Sequence, residues 1–274
     1  MNIVGISGKT ESGKDTIADR FVDEHNYVKI SLSEPIKLLM SKVFCFSDDQ
    51  LQGSQKRKNA PDRKYGLCEI RSSSVSFGPD CDLKSVRRVC DDAWGKAAEN
   101  LLVYGPVWLA GVLECSKTQT TFKEGMQSLC NWFAILGHKF PTMSPRIVAQ
   151  SLGTEWGRNS IHKDIWIDYL LNNRVKTLQE TNPNTIGVII PDVRFDNELT
   201  IIKEVKGKLI RVLRTSTDTK ARKVGIQNHT SETDQEQFSN ELFDVLINNK
   251  GTLKDLYEVV DVTAVGFANS GVIL

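Results

Sequence analysis

The sequence predicts an α/β fold: a parallel β-sheet flanked by helices on both faces, with a large insertion after the second helix. Three observations predict it. A glycine-containing turn joins an apolar run at Ile3–Ile6 to an amphipathic helix from Lys14. Short apolar runs then alternate with helical segments in the C-terminal half, the pattern of strand–helix–strand crossovers. One of these runs, Ile186–Ile190, is apolar without interruption, as a strand covered on both faces is.

Each element has its own warrant. The first strand stops at the glycine turn. Ile17, Ala18, Phe21 and Val22 then recur at helical spacing, with Asp19, Arg20, Asp23 and Glu24 between them. Tyr27–Leu32 reads as a second strand. Glu34–Phe46 reads as a helix with Pro35 in its first turn, where no N–H is needed. Residues 47–143 are less regular, with helical patches near 84–104 and 124–138, and are treated as an insertion. Residues 1–46 and 144–274 then form one core. Ser144-Pro145 opens a helix that Gly153 is placed to end, and another runs from about Lys163 to Gln179. Leu209–Leu213 and Asp244–Ile247 are further strands, with a helix over Asp196–Val205. Thr252-x-x-Asp255 forms a capping box ahead of the last helix.

The chain has 274 residues, 40% of them hydrophobic and 25% charged, a composition that excludes general disorder. A formal net charge of +1 supplies no global attraction to nucleic acid or anionic lipid, so an anionic ligand needs a local site. No apolar run reaches the length of a spanning helix. The first residues lack a basic region followed by an apolar stretch, so a cytoplasmic protein is expected. Six cysteines without a Cys-x-x-Cys pair read as reduced thiols. Cys68, Cys81 and Cys90 crowd the insertion, but their spacing lacks zinc-knuckle geometry.

The chemistry concentrates at Gly8-Lys9-Thr10-Glu11-Ser12-Gly13-Lys14-Asp15-Thr16. Glycines let successive backbone N–H groups converge on an anion, and the following helix points its positive end there. Residues Glu11, Ser12, Gly13, Lys14, Asp15 and Thr16 would line the phosphates of ATP, with Lys14 bridging β and γ. Asp15 stands where this motif carries a hydroxyl. An ionised carboxylate cannot donate, so Asp15 is expected to hold Mg2+ directly or through water, with Thr16 at the α phosphate. A second carboxylate, Asp192, closes the buried run at 186–190 and is suited to ordering the metal. Arg194, Asp196 and Glu198 follow at the same sheet edge; capping and solvation are the competing roles for the two acids.

These residues, taken with Ala18-Asp19, Pro35-Ile36-Lys37, Arg146-x-x-x-Gln150-x-Leu152-Gly153-Thr154, Trp166, Pro191-Asp192-x-Arg194 and His229-x-Ser231-Glu232, resemble the deoxynucleoside monophosphate kinases of tailed bacteriophages. The likeness runs through 1–46 and 144–260 and is loose over 47–143. It implies a P-loop kinase fold and ATP- and Mg2+-dependent phosphorylation of deoxynucleoside 5'-monophosphates, in deoxynucleotide supply and, for a phage-encoded chain, in the host cytoplasm. By the resemblance Lys14, Asp192 and Arg194 are catalytic, and Asp15, Thr16 and Asp192 organise the metal. Lys37, Arg63, Arg146, Gln150, Gly153, Thr154, Trp166 and Asp192 receive the acceptor. Arg146 and Gln150 share a helix face at i and i+4. Trp166 offers a flat face to a base, although such a tryptophan is more often core. Arg214, Lys220, Arg222 and Lys223 are lid candidates. Residues 47–143 would serve acceptor binding or dimerisation, leaving a homodimer open.

Two departures stand out. Thr10 and Glu11 replace the basic residues common before Ser-Gly-Lys, which removes a cationic phosphate contact. His229 has no derivable role. The alternatives are a P-loop kinase of another phosphorylated metabolite, of the phosphomevalonate or dephospho-coenzyme A type, and a non-catalytic nucleotide- or nucleic-acid-binding module. Asn249-Lys250-Gly251-Thr252 lacks the aspartate of a guanine-specifying motif and suits a loop near adenine. The basic clusters Lys56-Arg57-Lys58 and Arg87-Arg88 lack interleaved aromatics, so direct nucleic-acid binding is not expected. The partners expected are small nucleotides, ATP and the acceptor, with no membrane.

Overall fold

The computed structural model describes residues 1–62, 64–65, 92–139, 143–214 and 238–269. Its five strands are β1 (Asn2–Gly8), β2 (Tyr27–Lys29), β3 (Gly187–Ile190), β4 (Lys208–Leu213) and β5 (Val245–Asn248), in the order β2-β3-β1-β4-β5. Every pairing is parallel, with Val4 opposite Ile189, Ile6 opposite Ile210 and Arg211 opposite Leu246. The predicted α/β architecture is therefore the one observed.

The helices are α1 (Lys14–His25), α2 (Glu34–Val43), α3 (Asp48–Gln52), α4 (Gln55–Asn59), α5 (Asp92–Cys115) and α6 (Phe122–Lys139). Next comes α7, whose first part, Pro145–Gln150, passes directly into a wider i→i+5 helix, Ser151–Ile161. The α8 helix is likewise composite, built of Ile165–Tyr169, Leu170–Val175 and Lys176–Thr181. The last two are α9 (Asp196–Glu204) and α10 (Leu253–Asn269). Among the described residues no helix is long and apolar enough to cross a membrane.

The chain clusters into two compact units. Met1–Leu32 and the described residues from Ile167 onward hold the sheet. On one sheet face Val4, Ile6, Ile189, Ile210 and Ile247 pack with Ile17 and Phe21 of α1 and Val260 and Ala264 of α10. The opposite face is read at Gly5, where an added Cβ would lie 2.8 Å from Ile202 of α9. Alternation along β1 thus places helices on both faces. Helices α1 and α10 are also clasped by charge: Arg20 donates from Nε and Nη2 to Asp261 at 2.9 and 2.8 Å, and His25 lies 2.8 Å from the same carboxylate. These hydrogen bonds, Arg20's first, hold the Asp261 carboxyl down at about 2.

The other unit holds the described residues of Ser33–Trp166. Phe44, Tyr65, Trp94 and Phe133 form one aromatic cluster. Trp108, Trp156 and Trp166 form a second. The sequence-based division at 46 and 143 does not share boundaries with this clustering. Helix α2 packs on α5 and on the start of α7, so the helical unit begins earlier and ends later. The two helical patches foreseen in the insertion grow to 24 and 18 residues. Gly95, Gly105, Pro106 and Gly111 in α5 break its sequence pattern without breaking the helix.

Gly153 does not end its helix as expected. The chain continues helically to Ile161, and the Gly153 carbonyl is taken by the Trp166 indole N–H at 2.7 Å. Four residues on, Gly157 permits close approach: a Cβ there would lie 2.7 Å from Trp166 Cε2 and 3.0 Å from its Nε1. β2 is shorter than foreseen, since Ser31 and Leu32 bond to a side chain instead of continuing the ladder. The Thr252–Asp255 capping box forms, with Asp255 accepting from Thr252 N at 2.7 Å.

Candidate active site

The loop between β1 and α1 is built from unusual backbone. Glu11 (φ 63°) and Gly13 (φ 105°) are left-handed, which for Glu11 carries a conformational cost. At Gly8 a Cβ would meet the Val212 carbonyl at 2.6 Å and Ser12 Oγ at 2.9 Å, so only glycine lets the loop fold back on β4. Asn249, just beyond β5, donates from Nδ2 to the Ser12 carbonyl at 2.8 Å and leaves no room for a side chain on Gly13. Lys14 Nζ donates to the carbonyls of Gly8 and Lys9, the latter at 2.6 Å, which holds its charge at the loop. Ser12 Oγ is buried and without a hydrogen-bond partner. Arg214, at the end of β4, donates to the Glu11 carbonyl at 3.4 Å.

Asp15 is exposed and pairs with Lys29 at 2.9 Å, and Lys29 also reaches Asp19 at 3.0 Å. Burial works against the Lys29 ammonium, but the hydrogen bonds it donates to the two aspartates outweigh it and raise its pKa. Asp192, two residues past the end of β3, is held through both oxygens: Ser31 Oγ donates to Oδ2 at 2.6 Å and the Leu32 N–H to Oδ1 at 3.0 Å. Glu198 is 1% exposed and accepts from the Arg194 and Phe195 N–H groups at 2.7 and 3.0 Å. It caps α9 and fixes the backbone that carries Arg194, so capping is its role.

Lys37, Arg146, Gln150, Gly153, Thr154 and Trp166 belong to the helical unit. Arg146 donates from Nη1 to Gln55 Oε1 at 2.9 Å, tying α7 to α4. Trp166 departs from its expected place: it is 1% exposed, enclosed by Trp108 and Trp156, and its N–H is committed to Gly153. Its ring presents no open face to a base. Arg63, Lys220, Arg222, Lys223, His229, Arg87-Arg88 and the cysteines at 68, 81 and 90 lie outside the described residues. Cys45, Cys115 and Cys130 form no disulfide. Arg57, in the cluster at 56–58, pairs with Asp49 at 3.0 Å on the surface.

Sequence reasoning missed Ser31, Lys29 and the part played by Asn249. Ser31 stands 161 positions from Asp192, and no local spacing signals such a contact. For the metal, no group of three or more His, Cys, Asp or Glu side chains that could hold an ion occurs among the described residues. Mg2+ characteristically takes one or two carboxylates and fills its shell with water and substrate phosphates, so a site of Asp192, Thr16 and phosphate oxygens is compatible with that arrangement.

Comparison with known proteins identifies relatives of the chain. A protein of Acanthamoeba polyphaga mimivirus named for deoxynucleotide monophosphate kinase activity is 22% identical over 95% of this chain and 94% of its own. The deoxynucleoside-5'-monophosphate kinase of Escherichia phage T5 is 25% identical over 74% of this chain and 72% of its own. The deoxynucleotide monophosphate kinase of Enterobacteria phage T4 is 22% identical over 95% and 97%. The family model for deoxynucleotide monophosphate kinase matches residues 80–260, which takes in the later part of the segment at 47–143 and stops short of the loop at 8–16. Since the family model matches residues 80–260, well over half of its length, the chain belongs to the deoxynucleotide monophosphate kinase family of phosphotransferases.

Proposed function

We propose that this enzyme transfers the γ-phosphoryl group of ATP to a deoxynucleoside 5'-monophosphate in an Mg2+-dependent reaction, with Asp192 and Thr16 as the residues that would hold the metal. The observation that carries the reading is the loop itself. Left-handed Glu11 and Gly13, two glycines that a Cβ would block, the N-terminus of α1 and a lysine folded onto the loop carbonyls make a cradle for a polyphosphate. The buried, unpartnered Ser12 hydroxyl is a donor without another acceptor.

In this reading Lys14 exchanges the carbonyls of Gly8 and Lys9 for β and γ oxygens. Asp192, held by Ser31 and Leu32, orders the metal's water shell together with Thr16, while Asp15 stays engaged with Lys29. Arg194, on backbone fixed by Glu198, supplies positive charge to the transferred group. Lys37, Arg146, Gln150, Gly153 and Thr154 hold the acceptor, and Arg214 begins a basic lid that excludes water. Mg2+, when bound, neutralises charge on the phosphate oxygens. The acceptor phosphate is already a nucleophile, so alignment and neutralisation supply most of the acceleration.

The test is ADP release with ATP and Mg2+ against each deoxy- and ribonucleoside monophosphate, beside Lys14→Met. Turnover with a deoxynucleotide that falls at least about a hundredfold in the variant supports the reading. ATP binding without turnover on any nucleotide would transfer it to another phosphorylated metabolite.

A further inference from the structure

Lys29, the last residue of β2, grips α1 at two places. Its Nζ lies 2.9 Å from Asp15 Oδ1 and donates to Asp19 Oδ1 at 3.0 Å, so one ammonium spans two carboxylates a helical turn apart. The strand fixes where that ammonium arises. Lys29 stands opposite Ile189 of β3, and the Ile30 N–H after it donates to the Ile189 carbonyl at 3.0 Å. Asp15 is thereby drawn toward the β2 edge of the sheet, whereas Asn249 and Arg214 hold the loop from the side of β4 and β5.

The carboxylate held in this way occupies a sensitive place. Asp15 is the second residue of α1 and follows Lys14, whose ammonium lies on the Gly8 and Lys9 carbonyls. Backbone N–H groups and the positive end of α1 converge there, which suits a polyphosphate. A loose carboxylate at the same helix end would compete for those donors and repel the phosphates. A hydroxyl at this position would carry no such charge; the aspartate does, and Lys29 is the group that answers it. We propose that Lys29 is a positioning residue for nucleotide binding: by bridging Asp15 to Asp19 it draws the Asp15 carboxylate aside and neutralises it, so the phosphates of ATP reach the loop unopposed. The proposal rests on the phosphotransfer reading, since it concerns the same loop.

Calorimetric titration of the full chain with ATP, in EDTA so that no metal takes part, reads the effect directly. Lys29→Met should weaken binding about fivefold or more at low ionic strength, as one uncompensated charge beside a polyanion implies, and the difference from wild type should shrink as salt is added. Lys29→Met combined with Asp15→Asn should recover wild-type affinity to within about twofold, whereas Lys29→Met combined with Asp19→Asn, one turn farther from the loop, should not. A Lys29→Met variant that binds ATP as the wild type does overturns the proposal. So does a loss that Asp15→Asn fails to repair, because Lys29 then acts through the fold, and so does equal repair by Asp19→Asn, which reduces the effect to net charge. Tighter ATP binding by Lys29→Met once Mg2+ is restored overturns it as well, since Asp15 is then a metal ligand that Lys29 withholds. Each of these outcomes leaves the phosphotransfer reading standing; a wild-type chain that binds no ATP removes both.

Discussion

The same substitution, Gly→Ala, should have opposite effects at two helical positions. At Gly157 an added Cβ lies 2.7 Å from Trp166 Cε2 and 3.0 Å from Nε1, where carbon contacts normally begin near 3.5 Å. Trp166 cannot rotate away cheaply, because it is 1% exposed between Trp108 and Trp156 and donates to the Gly153 carbonyl at 2.7 Å. Forcing an extra methyl into a packed core costs about 1–3 kcal/mol. Displacing the indole from its carbonyl adds about 1–2 kcal/mol for a buried donor left unmade. Alanine's helix preference returns somewhat under 1 kcal/mol. The net for Gly157→Ala is a loss of about 3 kcal/mol. Gly266 in α10 has nothing within 4 Å of its would-be Cβ, so Gly266→Ala should gain up to about 1 kcal/mol from propensity alone. Urea unfolding followed by tryptophan emission measures both. A Gly157→Ala variant within roughly 0.5 kcal/mol of wild type, the size of an indifferent surface change, would refute the packing argument.

Three further outcomes follow from the geometry. Asn249→Ala removes the amide held 2.8 Å from the Ser12 carbonyl, so KM for ATP should rise about fivefold with the fold intact, as one hydrogen bond of about 1 kcal/mol implies; an unchanged KM would separate Asn249 from loop positioning. Glu198→Ala strands the N–H groups of Arg194 and Phe195 and should cost about 2 kcal/mol in chemical denaturation and reduce kcat through Arg194. Asp261 has its carboxyl pKa depressed from 3.8 to about 2, so the clasp on α1 is fully present above pH 3.8 and is lost as pH falls toward 2. Asp261→Asn should therefore flatten the acid limb of the stability profile; an identical acid limb in the variant would sink the assignment.

The sheet and the loop were legible because both are local patterns. Apolar runs at 186–190 and 209–213 identify strands without reference to their neighbours, and the glycines at 8 and 13 announce a turn within six residues of one another. Glu198 was legible as a charge at the right edge, yet its capping role needed the backbone of α9. Trp166 shows the limit. Helical spacing marks it as amphipathic, but only its contacts with Trp156 on the preceding helix and with Trp108, far off in sequence, decide that it is enclosed. The same holds for Ser31 with Asp192, and for α2, whose packing on α5 moves the unit boundary away from the change in composition.

The strand order has a consequence for how the chain acquires its structure. β1 lies at the centre of the sheet, yet its partners β3 and β4 begin at Gly187 and Lys208. β2 pairs with β3 and not with β1, so the first strands made have no early partner. During synthesis β1 therefore leaves the ribosome with both hydrogen-bonding edges open, and it stays so until most of the polypeptide has been made. Loops of that length close slowly, and an unpaired apolar strand is prone to association in the meantime. The helices of Ser33–Trp166, all encoded within that interval, are available to collapse first. The nucleotide loop, which depends on β1 and β4 lying side by side, is then among the last features to form.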